Sequence, residues 1–435
     1  MSLGLELQDR YFLRHQSLLA VVPASNFTEF LRRAREFDGL IEAAQWQALA
    51  MLRARAPRAR LGFGGQEAGQ SEAPIGEGAA REIKALAREL DATAVVVDVD
   101  LEPTEQKKLE KIIGLPVLDR SALVLAIFAF RAQTREGKLQ VEVAQLKYLA
   151  PRLTRMWTHL GRVGGGTKGM RGEGETQMEQ DKRRIRNRLH QLESELKQVA
   201  LHRGRLRSGR IRAGLPQVTL VGYTNAGKST LLEALAGESG LSKDALFATL
   251  EPRTRRVHAP GVGDYFLADT VGFIERLSPE LVAAFHATLE IAASSDLILV
   301  VLDASHPDVV LHCQVALDVL ISIGAQGIPV LYCLNKIDRA ETLPALPEIP
   351  EIPCHGTLPI SAMTGAGFGQ LQQAIARVLR ATRVFVRVRI GADQAQKRAQ
   401  FYRESIGTQE QWDGDQCILS GYMSQESAAA FSPSD

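Results

Sequence analysis

Cysteine is scarce in this chain. Four occur in 435 residues, at Cys313, Cys333, Cys354 and Cys417, and no two form a CxxC pair. That spacing argues against a zinc ribbon or a disulfide framework and suits a reducing cytosol. Long apolar runs are missing too. The longest, Ala122 to Phe130 and Leu297 to Leu302, fall well short of the roughly 20 residues that cross a bilayer. The N-terminus places Glu6, Asp9 and Arg10 early and lacks the basic start and apolar core of a signal peptide. A cytoplasmic protein without a membrane span is therefore expected. An excess of one charge is also lacking: 52 Lys and Arg against 50 Asp and Glu leave +2, so the distribution of charge carries the information. At 45% hydrophobic and 23% charged the composition is that of a soluble globular protein, and the length suggests two to four domains.

What is present divides the chain into four parts. Residues 1–150 read as an α/β domain with a mainly parallel sheet. Its strands are Leu18 to Val22 and Thr93 to Val99, and its helical stretches run Phe27 to Arg55, Glu102 to Ile113 and Ser121 to Ala132. Pro57 to Ala80, with six glycines and two prolines in 24 residues, reads as a long loop. Residues 151–215 hold a glycine-rich stretch, Gly161 to Gly174, and then a basic helical hairpin. From Asp181 to Arg212 there are eleven Lys or Arg against three Asp or Glu. Ile185, Leu189, Leu192, Leu196 and Val199 form its apolar seam. Such a run is either a solvated helix face or a nucleic acid contact. Residues 216–380 alternate apolar strands with helices in the doubly wound pattern. Residues 381–435 open with Val384, Val386, Val388 and Ile390 alternating with Arg387 and Arg389, a strand with one polar face. That part reads as a small α+β domain ending in a frayed tail, SQESAAAFSPSD.

The third part carries the chemistry. Gly222-Tyr223-Thr224-Asn225-Ala226-Gly227-Lys228-Ser229-Thr230 follows a strand and opens a helix, the context of a phosphate-binding P-loop. Its backbone N–H groups and the helix N-terminus cradle phosphates. Lys228 neutralises the β and γ phosphates, and the Ser229 hydroxyl ligates Mg²⁺. Asp269-Thr270-Val271-Gly272 begins 41 residues after Lys228. Asp269 can hold Mg²⁺ through water, and the Gly272 amide can meet the γ-phosphate. Asn335, Lys336 and Asp338 follow a later strand, and the Asp338 carboxylate is placed to accept two N–H bonds from guanine. Ser361, Ala362 and Met363 would offer backbone N–H to the guanine oxygen. Four such motifs in this order, each after a strand, select GTP over ATP.

Phe247-Ala248-Thr249-Leu250 opens the run between the first two motifs. One threonine there must meet Mg²⁺ and the γ-phosphate in a switch segment; Thr249 is the choice and Thr254 the alternative. Lys228, Thr249 and Gly272 are thus the groups expected to act on the reacting phosphate. Gly272 is followed by Phe273, where Ras-like proteins keep a water-orienting Gln, so a partner or another group of this chain must complete the hydrolytic geometry.

The chain resembles the HflX family of ribosome-associated GTPases over nearly its whole length. The resemblance rests on the run Arg131 to Leu146 (RAQTREGKLQVEVAQL), Pro151-Arg152-Leu153, Trp157-Thr158-His159-Leu160, Gly172-x-Gly174-Glu175-Thr176-Gln177, FATLEPRTR and DTVGFI. It implies a binder of the large ribosomal subunit that splits or rescues stalled ribosomes, with the N-terminal domain and basic hairpin reaching rRNA. Asn225 occupies a position that carries Asn in similar GTPases using K⁺ beside the phosphates, which implies potassium as a possible cofactor. A monomer is expected. Two other classes remain open: a GTPase serving tRNA or rRNA modification, and a GTP-gated protein scaffold.

Overall fold

The computed structural model describes residues 17–55, 74–163, 182–199, 201, 215–237, 253–260, 263–273, 291–347 and 350–431, with only the backbone given over 153–163. The described residues fall into two compact units, one ending at Leu196 and one beginning at Lys197.

In the first unit, β1 (Leu18–Ala24), β2 (Ala48–Arg55), β3 (Ala94–Val97) and β4 (Val117–Leu118) form a parallel sheet in the order β2-β1-β3-β4. β1 and β3 are apolar and buried along their whole length, as a strand covered on both faces must be. The expected helix from Phe27 to Arg55 is corrected. The helix spans Phe27–Ala43, capped by the Asn26 side chain, and the chain turns through Gln45 at φ 59°. Ala48–Arg55 (ALAMLRAR) is then strand β2. Its Ala, Leu, Met and Arg are good helix formers, and pairing with β1 overrides them. The loop expected to reach Ala80 ends earlier, because a helix occupies Glu77–Glu89; residues 56–73 lie outside the described residues.

A helix of 29 residues, Arg135–Val163, runs straight through the division expected at 150/151 and carries Pro151 inside it. The chain is helical again over 182–199. Its seam is as the spacing requires: Ile185 and Leu192 are buried, and Leu189, Leu196 and Val199 are half-buried. Arg188 forks onto Glu142 (2.7 and 2.9 Å), and Lys147 and Arg135 pair with Glu193 and Glu195. Most of the glycine-rich stretch falls within residues 164–181, outside the described set.

In the second unit, β5 (Gln217–Val221), β6 (Arg253–Ala259), β7 (Gly263–Asp269), β8 (Leu297–Asp303), β9 (Val330–Asn335) and β10 (Cys354–Pro359) make one sheet ordered β10-β9-β8-β5-β7-β6. All pairs are parallel except β6 with β7. Helices Lys228–Ala236 and Phe368–Ala381 pack their Leu, Ile and Val side chains onto it. The C-terminal part is an antiparallel sheet of β11 (Val384–Gly391), β12 (Ile406–Asp413) and β13 (Gln416–Met423), ordered β11-β13-β12, with helix Ala395–Glu404. Of the tail expected to fray, residues 424–431 are in fact packed, and 432–435 lie outside the described residues. Ser424 caps a short helix, Gln425–Ala429, and Phe431 is buried edge-on against Phe401, with ring centroids 5.2 Å apart.

Candidate nucleotide site

The P-loop is shaped by close approaches that only glycine allows. Gly227 sits at φ 93°, and a Cβ there would stand 2.2 Å from Asn335 Nδ2. A Cβ on Gly272 would lie 2.8 Å from Thr224 Cα and 3.0 Å from Lys228 Nζ. Into this space Lys228 extends a buried ammonium that donates to the carbonyls of Gly222 (3.0 Å) and Tyr223 (2.9 Å). Burial pushes the Lys228 ammonium down to about 8, and the Asp269 carboxylate works the other way. A cation held by two neutral carbonyls stands to gain from a bound phosphate.

Ser229 Oγ donates to Asp269 Oδ2 at 2.7 Å, and Asp269 is fully buried at the end of β7. Thr270, next in the chain, is tied to β5 by its hydroxyl, which donates to Leu220 O (2.8 Å). Val271 is buried and Thr230 is half-buried in the helix that opens at Lys228. Phe273 is 1% exposed. Its N–H donates to Gly222 O (3.0 Å) and its carbonyl accepts from Thr224 N (2.7 Å). The residue after Gly272 therefore clasps the P-loop through its backbone, with its ring in the core.

Asn335 joins three motifs. Its Nδ2 donates to Ala226 O and its Oδ1 accepts from Ala362 N, each at 2.8 Å. Asp338 is exposed, and Ser361 Oγ donates to its Oδ1 (2.6 Å). That hydrogen bond is the chief reason the carboxyl lies below its ordinary value. Of the three amides expected to face guanine, Ser361 N donates to Ala366 O and Ala362 N to Asn335. The Met363 amide is left without a partner among the described residues. Asn225, at φ 62°, is exposed, and its side-chain amide makes no hydrogen bond there either. Thr224 Oγ1 is buried without a partner.

The switch residues Phe247, Ala248, Thr249 and Leu250 lie outside the described residues. The alternative, Thr254, stands in β6 opposite Ala268, in a strand that was not expected.

Sequence reasoning passed over two features. Asp303, the last residue of β8, pairs with Lys336 Nζ (2.8 Å). Burial favours its neutral form, but hydrogen bonds from Lys336 and Ser305 hold it below its ordinary value. Its position at a strand's C-terminal end was the available signal. Under the P-loop, the Tyr223 ring stacks on His312 (3.7 Å, 9°), which in turn meets His306 (4.4 Å). Nothing in the spacing of those residues foretells the stack.

Comparison with known proteins follows the same outline. Three family models match in succession: "GTP-binding GTPase N-terminal" over residues 32–129, "GTP-binding GTPase Middle Region" over 131–210, and "50S ribosome-binding GTPase" over 217–336. The chain is 40% identical over 395 residues to the GTPase HflX of Escherichia coli K12, covering 91% of this chain and 90% of that protein. It is 38% identical over 365 residues to the GTPase HflX of Chlamydia pneumoniae, covering 82% and 77%. Among solved structures, a GTP-binding protein of Sulfolobus solfataricus in complex with GDP is 22% identical, with a TM-score of 0.41, covering 84% of this chain and 98% of that one.

Proposed function

The chain belongs to the HflX family of GTPases and hydrolyses GTP, and on that premise we propose that it is a cytoplasmic, monomeric factor that binds the large ribosomal subunit and its rRNA and splits or rescues stalled ribosomes. One observation carries the ribosome reading beyond the family. On the helix over 182–199, Arg188 is exposed and neutralised by Glu142, whereas Arg183 and Arg186 are exposed with no ion-pair partner among the described residues. Unpaired cations on one helix face suit phosphates.

At the nucleotide, the P-loop amides and Lys228 hold the phosphates. Asp338 and the Met363 amide read guanine. Ser229 and Asp269 are hard oxygen donors 2.7 Å apart, which fits Mg²⁺; with Thr249 they would hold it, and it would offset charge on the phosphate oxygens. Asn225, with its amide not tied to the loop, is available to a potassium ion; turnover in KCl and NaCl at matched ionic strength should differ, and the difference should vanish in Asn225→Ala. The buried Phe273 ring cannot orient water, so hydrolysis by the free protein is slow and the subunit supplies the missing group.

Co-sedimentation with purified large subunits, with a non-hydrolysable GTP analogue and with GDP, tests the proposal. Retention in the analogue, lost in Arg183→Glu/Arg186→Glu, is expected. No retention in either nucleotide would favour a scaffold or an RNA-modification role.

A further inference from the structure

One face of the C-terminal sheet is closed by a small core, and the other is covered only at its Ile406–Tyr422 end, where those two side chains meet the core of the GTPase sheet, and is exposed at Phe385, Arg387, Arg389, Gln409 and Gln411. Val386, Val388 and Ile390 of β11 point with Cys417 and Leu419 of β13 into a small core around Phe401. By strand alternation Phe385, Arg387 and Arg389 face the other way, opposite Tyr422, Ser420 and Ile418. Gln409 and Gln411 of β12 continue the same rows. Phe385 is 55% exposed, and its ring sits edge-on to Tyr422 with centroids 5.2 Å apart. Neither Arg387 nor Arg389 has an ion-pair partner among the described residues, and the side chains of Gln409, Gln411 and Ser420 make no hydrogen bond there. The one carboxylate in these rows, Asp413, stands at the far end opposite Gln416. Glu410 lies on the closed side and is engaged by Tyr402 and Cys417.

We propose that the exposed part of this second face, with Phe385, Arg387 and Arg389 in line, binds a single-stranded polynucleotide. Side chains two apart on a strand repeat every ~7 Å, so the arginines can meet successive phosphates while the phenyl ring stacks a base. The glutamines and Ser420 hold unspent donors and acceptors for base edges. An acidic peptide would use the arginines and leave the ring and amides idle. The proposal is separate from ribosome binding through the helix over 182–199, and the two can fail independently.

The test uses full-length, GDP-loaded protein carrying Arg183→Gln/Arg186→Gln, so that the helix contributes little. Fluorescence anisotropy with labelled 12-mers of oligouridylate and oligothymidylate is read across a salt series. Phe385→Ala should weaken binding about tenfold with the salt slope unchanged, the mark of lost stacking. Arg387→Gln/Arg389→Gln should lower the slope of log K against log salt by about 1.4, for two phosphate contacts on a single strand. Tighter binding of the uridylate assigns RNA, and equal binding assigns the backbone and stacking chemistry that both strands share. GDP affinity and the unfolding curve report that each variant is folded. Sheet variants that bind like their parent, no binding at all, or equal competition by polyglutamate at matched charge would each overturn the proposal.

Discussion

The two mainly parallel sheets both gather charged groups at the C-terminal ends of their strands, yet one set is closed and the other leaves donors unspent. Beyond β3, Asp98 receives Arg33 at 2.7 Å and also Arg120, while Arg120 reaches Glu36 at 2.7 Å. Burial alone would lower the Arg120 guanidinium, but Asp98 and Glu36 raise it above its ordinary value. Beyond β4, Asp119 accepts from Tyr148 and Arg152, each at 2.8 Å, and from Ala122 N. Burial still raises its carboxyl despite Arg152. Arg152 also gives three further donors to Gln106 and the Tyr148 and Leu101 carbonyls. Beyond β5 and β10 less is spent: Lys228 donates only to backbone carbonyls, with the Asp269 carboxylate near enough to favour its charge, Thr224 Oγ1 has no partner, and the Met363 amide makes no hydrogen bond among the described residues. The same strand-end position is spent on internal cohesion in the first sheet and leaves donors unspent in the second. Topology marks where a site can be; the balance of donors and acceptors decides whether one is there.

The comparison breaks first at Lys228. Lys228→Ala should cost about a thousandfold in GTP turnover, the upper range for loss of one preorganised transition-state donor, while the unfolding curve holds or moves towards greater stability because a buried cation is gone. Steady-state turnover and urea unfolding read both. A variant that turned over GTP normally would remove the P-loop from the mechanism.

The mirror experiment is Arg120→Met. It leaves Asp98 with Arg33 alone and should cost about 3–5 kcal/mol of unfolding free energy, as expected when one partner of a buried pair is removed. GTP turnover of the folded protein should be unchanged. A drop in nucleotide affinity without loss of stability would show that the closed sheet also receives a ligand, and the contrast would fail.

Asp338→Asn sharpens the open side. The amide donates where the carboxylate could only accept, so GTP should weaken about a hundredfold and xanthosine nucleotides should gain. Unchanged GTP affinity in a titration would sink the base-reading role.

Much of this was legible in the sequence because it is local. The P-loop, Asp269 with Gly272, Asn335 with Asp338, and Ser361 each follow an apolar run, and β5, β7, β8 and β9 were placed by those runs. What escaped was set by partners distant in sequence. Ala48–Arg55 becomes a strand only because β1 lies beside it. The tail around Phe431 is ordered only because Phe401 receives its ring. The Ala362 amide was expected on guanine, and it is Asn335, 27 residues earlier, that engages it. Residue types announce which donors exist; where they are spent depends on contacts that no local pattern records.

The smallest effect sought is at Ser361. Its hydroxyl donates to Asp338 Oδ1 and is the leading cause of that carboxyl's depression. Guanine needs the ionised form as acceptor. On the role proposed for Asp338, base recognition in the parent protein should persist as pH falls towards the ordinary carboxylate range and be lost only as pH passes through the depressed value. Ser361→Ala removes the hydroxyl, returns Asp338 towards its ordinary value, and should make GDP affinity fall at a higher pH. Near neutrality both carboxylates are ionised, so the two proteins should bind GDP within about threefold, the scale of one exposed hydrogen bond. The ligand's own phosphate titration is common to both titrations and cancels in their ratio. Tryptophan fluorescence along the same series reports whether either protein is unfolding in acid. A ratio that stays flat from pH 7 to the onset of unfolding would mean that Ser361 only positions the loop, through its acceptance of Thr364 N. A ratio that grows as pH falls would tie the open site's selectivity to a hydroxyl spent, in this case, on keeping a carboxylate charged.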